Sequence, residues 1–387
     1  MLDPDFNYKF SFLLFFFIQA LIFAVLSLKA GRDSGLHSGN WLSTFLILSA
    51  MYITPWMLGM DDWYAYDGYR EFLFFVPFYQ FYLFGPVIYF YTLSLLDPAW
   101  RLTRKDGIHF IPAGLYLLYS LVIAVTDLLV LDEFYFYADG KDKDLALWYQ
   151  ISGLLVMIMY TCKSLILYQN YRGSIFHVVS FAETITYSWI RRFLFSLLLI
   201  FVIRGIFFIF FPDWGSFGDK WWYYFAFSLI VWYISIEGYT HVIRTNQTHV
   251  ETDGLARKLS PVSNPGECVE VSIITRPFTE DKLYQNPNLT ISDLAKHTGR
   301  NSRLISQTIN QSFGKNFNDF VNAYRVEEVQ ERIHRGQHKE FTLLSIALES
   351  GFNSKSTFNR VFKKMTGETP AQYAKRKKPS MKGGQQF

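Results

Sequence analysis

The fold of the C-terminal part of this chain is decided by the stretch Ile346 to Tyr373, IALESGFNSKSTFNRVFKKMTGETPAQY. A shorter version of the same pattern lies upstream at Leu294 to Lys315, LAKHTGRNSRLISQTINQSFGK. Gly299 corresponds to Gly351 at an offset of 52 residues, and from Ile305 and Phe358 onward the offset becomes 53. Two copies of one pattern that differ by a single inserted residue indicate an internal duplication.

Each copy predicts two short helices joined by a tight turn. In the first copy, a helix at about 291–298 ends at Gly299, and a second helix follows to about Phe313. Ile305 and Ile309 recur at the spacing of one helix face and should point to a core, whereas the polar residues between them should point outward. A helix, a glycine turn and a second helix with a polar outer face form a helix-turn-helix unit. The inner stripe of the second copy is Phe358, Val361, Phe362 and Met365.

The segment between the copies predicts one long helix from Phe317 to Arg335. Val326, Val329 and Ile333 lie on one face of it, and Gly336 supplies the stop. A helix of this length would span about 28 Å. A connecting helix of that length would separate the second helices of the two copies by a distance compatible with successive major grooves, which lie about 34 Å apart. A helical hairpin with a solvated polar face is the alternative for each copy taken alone.

The charge of +4 is divided unevenly along the chain. Residues 1–243 contain 15 Lys and Arg and 19 Asp and Glu, a net charge of −4, whereas residues 244–387 contain 22 and 14, a net charge of +8. A basic C-terminal part favours a polyanionic partner, and a merely solvated basic surface is the alternative.

The first 243 residues have the composition of a membrane protein. The chain is 50% hydrophobic, 19% aromatic and only 18% charged. Apolar runs of about 20 residues are long enough to cross a bilayer as helices. Seven runs meet this length, at roughly 7–28, 41–60, 72–95, 108–130, 147–170, 189–211 and 221–243.

The loops between these runs alternate in charge. One set is acidic, as at 61–71 and 132–144, and the other set carries Lys and Arg, as at 101–105 and 191–192. Basic loops lie in the cytoplasm by the positive-inside rule, so the N-terminus is predicted outside and the C-terminus inside. An odd number of spans gives the same orientation.

Four polar side chains are predicted at membrane depth in the outer half of the bundle. Buried polar groups in a membrane are costly and usually face the bundle interior. One interpretation is a ligand pocket open to the outside, in which an arginine holds an anionic or polar ligand. The other is structural, with interhelical hydrogen bonds and an arginine that snorkels to the interface. The four residues are Gln80, Asp127, Gln150 and Arg204.

No catalytic pattern is evident. The sequence has no His-Glu-x-x-His, no Gly-x-Ser-x-Gly and no paired catalytic carboxylates on one helix. Cys162 and Cys268 show neither a disulfide framework nor metal-ligand spacing. We therefore expect no enzyme activity, no catalytic residues, no metal site and no cofactor.

The composition changes again after residue 243. Residues 244–285 contain Ser260-Pro261 and Asn264-Pro265-Gly266 and predict a loose cytoplasmic linker, with a short β-like run from Cys268 to Ile274. The predicted domains are a seven-helix membrane domain at 1–243, the linker at 244–285, a DNA-binding domain at 286–376 and a basic, polar tail at 377–387.

The C-terminal domain resembles the DNA-binding domain of the AraC/XylS family of bacterial transcription regulators, from Asn286 to Arg376. The whole chain also resembles a subgroup with seven membrane helices before that domain, through FGPVIYFYTLSLL at Phe84 to Leu96 and IHFIPAGLYLLY at Ile108 to Tyr119. The residues that match the family signature in the second copy are Ile346, Ala347, Gly351, Phe352, Ser356, Phe358, Arg360, Phe362, Lys363, Gly367, Thr369, Pro370 and Tyr373.

The resemblance implies an all-α fold, in which a seven-transmembrane-helix bundle precedes a cytoplasmic tandem helix-turn-helix domain. It also implies roles for outward residues, because base edges are read by side chains such as Arg, Gln and Thr, whereas phosphates are bound by Lys and Arg. Gln307 stands where many members of the family have Arg. The implied base contacts are Arg303, Ser306 and Gln307 in the first copy and Ser356, Thr357 and Arg360 in the second. The implied phosphate contacts are Arg300, Lys355, Lys363 and Lys364.

Together these observations predict a sequence-specific transcription regulator anchored in the bacterial inner membrane. Its predicted partners are double-stranded DNA, the lipid bilayer and an unknown small-molecule or membrane signal. Many members of the family form homodimers, although no heptad seam is evident here. Two alternatives stay open: a transporter or membrane enzyme regulated by its DNA-binding tail, and an inert anchor that releases the tail by proteolysis.

Overall fold

The structure is a computed structural model that describes residues 7–131, 133, 135–137, 142–182, 186–210, 220–247 and 269–376. Within these residues all the regular elements are helices and no strand is formed, which confirms the predicted all-α class. The predicted linker residues 248–268, including Cys268, and the predicted tail at 377–387 lie outside the described residues.

The N-terminal part consists of long apolar helices. Five stretches among the described residues are long and apolar enough to cross a membrane: Tyr8–Ser34, His37–Gly59, Arg104–Val130, Leu147–Ile175 and Trp221–Ile243. The helices are α1 (Tyr8–Ser34), α2 (His37–Gly59), α3 (Asp67–Phe75), α4 (Phe81–Leu96), α5 (Ile111–Val125), α6 (Leu147–Ile175), α7 (Ser188–Phe210) and α8 (Trp221–Gln247).

The predicted span at 72–95 is not one continuous helix. Helix α3 ends at Phe75 and α4 begins at Phe81. Pro77 lies in the interruption, where it supplies no N–H and disfavours helical backbone at the residue before it. Helix α4 is therefore an apolar helix of 16 residues, shorter than a full crossing.

The chain forms two compact units. The first comprises residues 1–169 and 188–253, in which α1 packs against α2 and α8, α2 against α4, and α7 against α8. The second comprises residues 170–187 and 254–387. The second unit is thus discontinuous in sequence, because it includes the short segment that joins α6 to α7.

Seven helices of the second unit follow one another after residue 269. Helix α9 packs against α10 and α11, and α12 contacts both α11 and α14. The helices are α9 (Val271–Thr279), α10 (Ile291–Thr298), α11 (Ser302–Phe313), α12 (Phe317–His334), α13 (Leu343–Glu349), α14 (Lys355–Thr366) and α15 (Pro370–Arg376).

The β-like run predicted from Cys268 to Ile274 is wrong. Residues 271–274 of the run belong to helix α9, which packs against α10 and α11 and buries Ile274 and Phe278 one turn apart. The run alternates apolar and polar residues over too few positions to separate a strand from a short amphipathic helix. The last part of the predicted linker is therefore ordered and packed.

The core of the second helix-turn-helix unit confirms the predicted inner faces. Apolar side chains from α12, α13, α14 and α15 meet in one buried cluster. Its members are Val326, Val329, Ile333, Ile346, Ala347, Phe352, Phe358, Val361, Phe362, Tyr373 and Ala374.

Candidate nucleic-acid interface

The first helix-turn-helix unit is built from α10 and α11. Thr290 and Asp293 form a reciprocal capping box that starts α10, and Gly299 ends it with a φ of +64°. The side chain of Asn301 then accepts a hydrogen bond from the Arg303 N–H at 2.8 Å and starts α11. Each end of the turn is therefore fixed by a residue of the quoted pattern.

The second helix-turn-helix unit repeats this construction with α13 and α14. The Thr342 side chain caps α13, and the Ser354 Oγ accepts from the Thr357 N–H at 3.2 Å to cap α14. Gly351 lies in the turn with a φ of +95°, and Gly367 ends α14 with a φ of +79°. Two helix pairs with matching caps confirm the tandem helix-turn-helix architecture.

The buried stripes fix which faces of α11 and α14 point outward. Ile305 and Ile309 on α11 are fully buried, and Phe358, Val361 and Phe362 on α14 are at most 2% exposed. Because these positions recur every three or four residues, the opposite face of each helix is turned away from the core.

The structure places the outward residues of α14 together on one face. Ser356, Arg360 and Lys363 are exposed, and Lys355 is exposed in the first turn. Thr357 is half-buried, and its Oγ1 accepts a hydrogen bond from the Ser354 Oγ at 3.0 Å. Three cationic side chains flank two hydroxyl groups on this face.

The corresponding face of α11 is less exposed to solvent. Arg303, Ser306 and Gln307 are all half-buried, whereas Arg300 in the preceding turn is exposed. The outward positions of α11 therefore carry one cation, Arg303, where α14 carries several. The two units differ in electrostatics although they share a backbone plan.

Lys364 is held differently from the other predicted phosphate contacts. Its ammonium lies 2.9 and 3.0 Å from the two carboxylate oxygens of Asp319, in the first turn of α12. This ion pair ties α14 to α12 and competes with any phosphate for the same charge.

Sequence analysis did not single out Arg325, the largest fully buried side chain of the second unit. It lies on α12, is 1% exposed, and burial lowers its pKa to about 9. Val321 and Val329 lie one turn to either side of it and are fully buried. The helical period therefore signals an arginine on the core face of α12.

The guanidinium of Arg325 is surrounded by hydrogen-bond acceptors. Its Nε donates to the Tyr284 carbonyl at 2.8 Å and one terminal nitrogen donates to the Asn286 carbonyl at 2.7 Å. The other terminal nitrogen donates to the Asn322 side chain at 3.1 Å. Ser180 accepts two more bonds, through its carbonyl at 3.2 Å and its Oγ at 3.0 Å.

In the first compact unit, which contains α1, α2, α7 and α8, the structure brings together two of the four polar residues predicted at membrane depth. The Arg204 guanidinium donates to the Gln150 side chain and to the Tyr52 hydroxyl. It also lies 5.4 Å from the centre of the Phe81 ring and 5.2 Å from that of Tyr223. Arg204 is 7% exposed, so this cation is enclosed by aromatic rings and one amide.

The other two predicted residues have local backbone partners. The Gln80 side chain donates to the Pro77 carbonyl at 2.6 Å, within the interruption between α3 and α4. The Asp127 carboxylate accepts from the Phe136 N–H at 3.2 and 3.3 Å. Neither contact joins Gln80 or Asp127 to the Arg204 group.

A buried acidic pair beside this group was missed as a site. Asp144 accepts from Lys143 at 3.0 Å and from the Tyr116 hydroxyl, and its carbonyl accepts from Gln150 at 2.6 Å. Asp142 accepts from the Asp144 N–H at 2.8 Å. The pattern Asp-Lys-Asp directly before an apolar helix is the only local signal of this network.

Replacing Asp142 with asparagine is expected to stabilise the protein at neutral pH. Burial, and secondarily the charge of Asp144, raise the pKa of Asp142 to about 7 from 3.8. An acid whose folded pKa is raised destabilises the fold when ionised, so stability falls as the pH rises from about 4 to about 7. Asp142→Asn should raise the midpoint of thermal unfolding by about 5 °C at pH 8 and change it little at pH 4.

The control is Asp67→Asn, which alters a carboxylate whose side chain is 81% exposed. It should give no such pH-dependent gain. Equal midpoints for the native protein and Asp142→Asn at pH 8 would contradict the burial of an ionised Asp142.

The chain is similar to known proteins over part of its length. A family model for a helix-turn-helix domain covers residues 294–376, which include both α11 and α14. An uncharacterized HTH-type transcriptional regulator of Staphylococcus aureus strain COL is 32% identical over 92 residues, 24% of this chain and 12% of that protein. The chain thus spans about an eighth of the length of the S. aureus relatives. A solved structure of a protein of unknown function from Listeria innocua covers 30% of this chain and 98% of its own, with 26% identity and a TM-score of 0.25.

A shorter relative covers most of its own length. The probable transcription factor PqrA of Proteus vulgaris is 30% identical over 96 residues, which are 25% of this chain and 76% of PqrA. Its similarity extends over a length sufficient for two helix-turn-helix units and their connecting helix. With the tandem architecture, the capped turns and this relative in agreement, the chain belongs to the AraC/XylS-type family of helix-turn-helix transcription regulators.

Proposed function

We propose that the protein is a membrane-anchored, sequence-specific regulator whose domain at 286–376 binds double-stranded DNA in the cytoplasm. The observation that carries this proposal is the outer face of α14. It exposes Ser356, Arg360 and Lys363 opposite a fully packed stripe. The described part of the chain also contains five helical stretches long and apolar enough to cross a membrane. A DNA reader and membrane helices in one chain imply that DNA is bound at the bilayer.

The roles of the two helices follow from their chemistry. Arg360 and Arg303 carry the planar donors that pair with guanine, Gln307 can pair with adenine, and Ser306, Ser356 and Thr357 offer hydroxyl groups to base edges. Arg300, Lys355 and Lys363 are placed for phosphates, which set affinity and register. Lys364 joins them only if it leaves Asp319.

Two measurements on the intact, tagged protein test this function. Its genome-wide DNA occupancy tests sequence-specific binding, and carbonate extraction of membranes tests anchoring. We expect a small number of discrete DNA sites and a protein that stays in the membrane fraction after extraction. Occupancy spread evenly over the genome would contradict sequence-specific binding, and recovery in the soluble fraction would contradict anchoring.

We further propose that the enclosed Arg204 group is where a signal acts. A cation held by an amide, a hydroxyl and aromatic rings suits an anionic or polar ligand that replaces one of these partners. Such a ligand would shift the packing of the helices around it. Arg204→Gln should then abolish condition-dependent changes in occupancy while leaving DNA binding intact, and an unaltered response would contradict the assignment.

A further inference from the structure

Residues 176–182 lie in the connection from α6 to α7 and belong to the same compact unit as the DNA-binding domain. Val178, Val179, Ser180 and Ala182 are each at most 1% exposed. A connection between two apolar helices would ordinarily run over the surface. We call residues 176–182 the docked segment.

The docked segment pairs with the start of the first helix-turn-helix unit. Val179 forms an isolated antiparallel bridge with Thr290, the capping residue of α10. The Ser180 N–H donates to the Leu289 carbonyl at 3.0 Å, and the Ile291 N–H donates to the Val178 carbonyl at 2.8 Å. These backbone bonds fix where α10 begins.

The docked segment makes two further contacts with α12, the helix between the two helix-turn-helix units. The Asn318 N–H in its first turn donates to the Phe176 carbonyl at 3.0 Å. Ser180 accepts two hydrogen bonds from the buried Arg325, at 3.2 and 3.0 Å. The docked segment therefore supplies acceptors that a charged group inside the domain requires.

Arg325 also contacts the second helix-turn-helix unit. A Cβ added to Gly351 would lie 2.9 Å from the Arg325 Nε and 2.2 Å from the Tyr284 carbonyl, so the turn between α13 and α14 packs directly on this arginine. Ser180, Arg325 and Gly351 thus form a continuous path from the docked segment to the turn that precedes α14.

We propose that the docked segment is the element through which α6 and α7 set the DNA affinity of the domain. The segment is covalently continuous with both helices, and it holds α10, α12 and Arg325 in one arrangement. While docked, it keeps the two helix-turn-helix units in register for DNA. Its withdrawal leaves Arg325 without two of its acceptors and releases the cap of α10, so DNA binding weakens.

This inference deepens the proposed function and rests on its DNA-binding part. It also disfavours release of an active tail by proteolysis. A cut within residues 248–268 would separate the C-terminal helices from residues 176–182 in sequence. The released fragment would contain Arg325 but not Ser180.

The test compares two Val→Asp variants of the intact protein in detergent. Val179→Asp places a carboxylate where the native side chain is fully buried, and Val271→Asp places it on α9 where the native side chain is 39% exposed. The probe is a DNA duplex selected from a random pool by the unaltered protein. Hydrogen exchange of the amides of Ile291 and Asn318 reports docking directly.

We expect Val179→Asp to weaken DNA binding at least tenfold and to remove the exchange protection of both amides. Val271→Asp should leave both measurements unchanged. DNA binding by Val179→Asp that equals or exceeds that of the unaltered protein would overturn the proposal, as would retained protection of Ile291 and Asn318.

A milder variant guards against simple misfolding. Ser180→Ala removes only the Oγ acceptor of Arg325 and keeps the backbone bonds, so it should weaken DNA binding about three- to tenfold while α14 stays protected from exchange. Unaltered affinity in Ser180→Ala would overturn the role of Arg325 in the path. Failure of the DNA-binding function itself is distinguishable, because the unaltered protein would then select no duplex although its amides remain protected.

Discussion

Gly351→Ala is expected to destabilise the DNA-binding domain by about 3–6 kcal/mol, a large part of the stability of a typical domain. The residue has a φ of +95°, which costs an L-residue about 1–2 kcal/mol. Its new Cβ would lie 2.2 Å from the Tyr284 carbonyl oxygen, so backbone must move. That carbonyl accepts from the Arg325 Nε at 2.8 Å, and losing a bond to a charged donor costs about 1.5–3 kcal/mol more.

The matched control is Gly299→Ala, the same position in the first copy. Its φ is +64°, and an added Cβ would meet no atom within 4 Å. This substitution should cost about 1–2 kcal/mol, the backbone term alone. Protease resistance and thermal unfolding of the intact protein measure both variants, and equal losses would contradict the close packing of the second turn on Tyr284 and Arg325.

Arg360→Ala is expected to cost about 1–3 kcal/mol of specific DNA affinity, or about 5- to 150-fold in Kd. Arg360 lies on the exposed face of α14, next to the buried Val361 and Phe362 that fix the orientation of the helix. Partial burial lowers its pKa, but arginine keeps its charge at neutral pH. Binding-site selection with the variant should show relaxed preference at one base pair.

Lys363→Ala separates base contact from charge at the same surface. It removes an exposed cation one turn further along α14 and should weaken binding to all sequences alike, with the salt dependence reduced by about one phosphate contact. Lys339→Ala, in an exposed 3₁₀ turn after α12, should change neither property. If Arg360→Ala weakened specific and random DNA equally, Arg360 would be a phosphate contact.

The helix-turn-helix units could be predicted from sequence because their information is local. Gly299 and Gly351 mark turns with positive φ, and the stripes led by Ile305 and Phe358 recur at helical spacing within a dozen residues. The long helix predicted from Phe317 to Arg335 is found at Phe317–His334 for the same reason. The individual DNA contacts stay predictions, since they depend on a partner.

Other elements escaped prediction because a local pattern was ambiguous. The run before Ile274 alternates like a strand, and only its packing against α10 and α11 makes it helix α9. The interruption between α3 and α4 is hidden in the almost uniformly apolar sequence of the predicted span at 72–95, in which Pro77 lies between the two helices. Hydrophobicity alone shows that a segment is buried or in lipid, and it does not show where the helix stops.

The docked segment was unpredictable for a different reason. Its five buried residues are Val, Val, Ser, Phe and Ala, an ordinary composition for a short connection. Its partners are remote: Ser180 and Arg325 lie 145 residues apart. Local sequence patterns do not reveal a contact between residues so far apart. The position of Arg325 between Val321 and Val329 is the one local signal, because it indicates a buried charge that needs hydrogen-bond acceptors.

The discontinuity of the second unit has a consequence for how the protein is made. During synthesis, residues 176–182 leave the ribosome before α7 and α8, and Arg325 follows much later. The domain therefore cannot be completed from its C-terminal helices alone, and contacts so distant in sequence form slowly. Until α10 and α12 are translated, the buried faces of Val178 and Val179 lack their partners. Under the proposed membrane anchoring, synthesis of α7 and α8 precedes maturation of the DNA-binding domain, which couples the order of assembly to the ability to bind DNA.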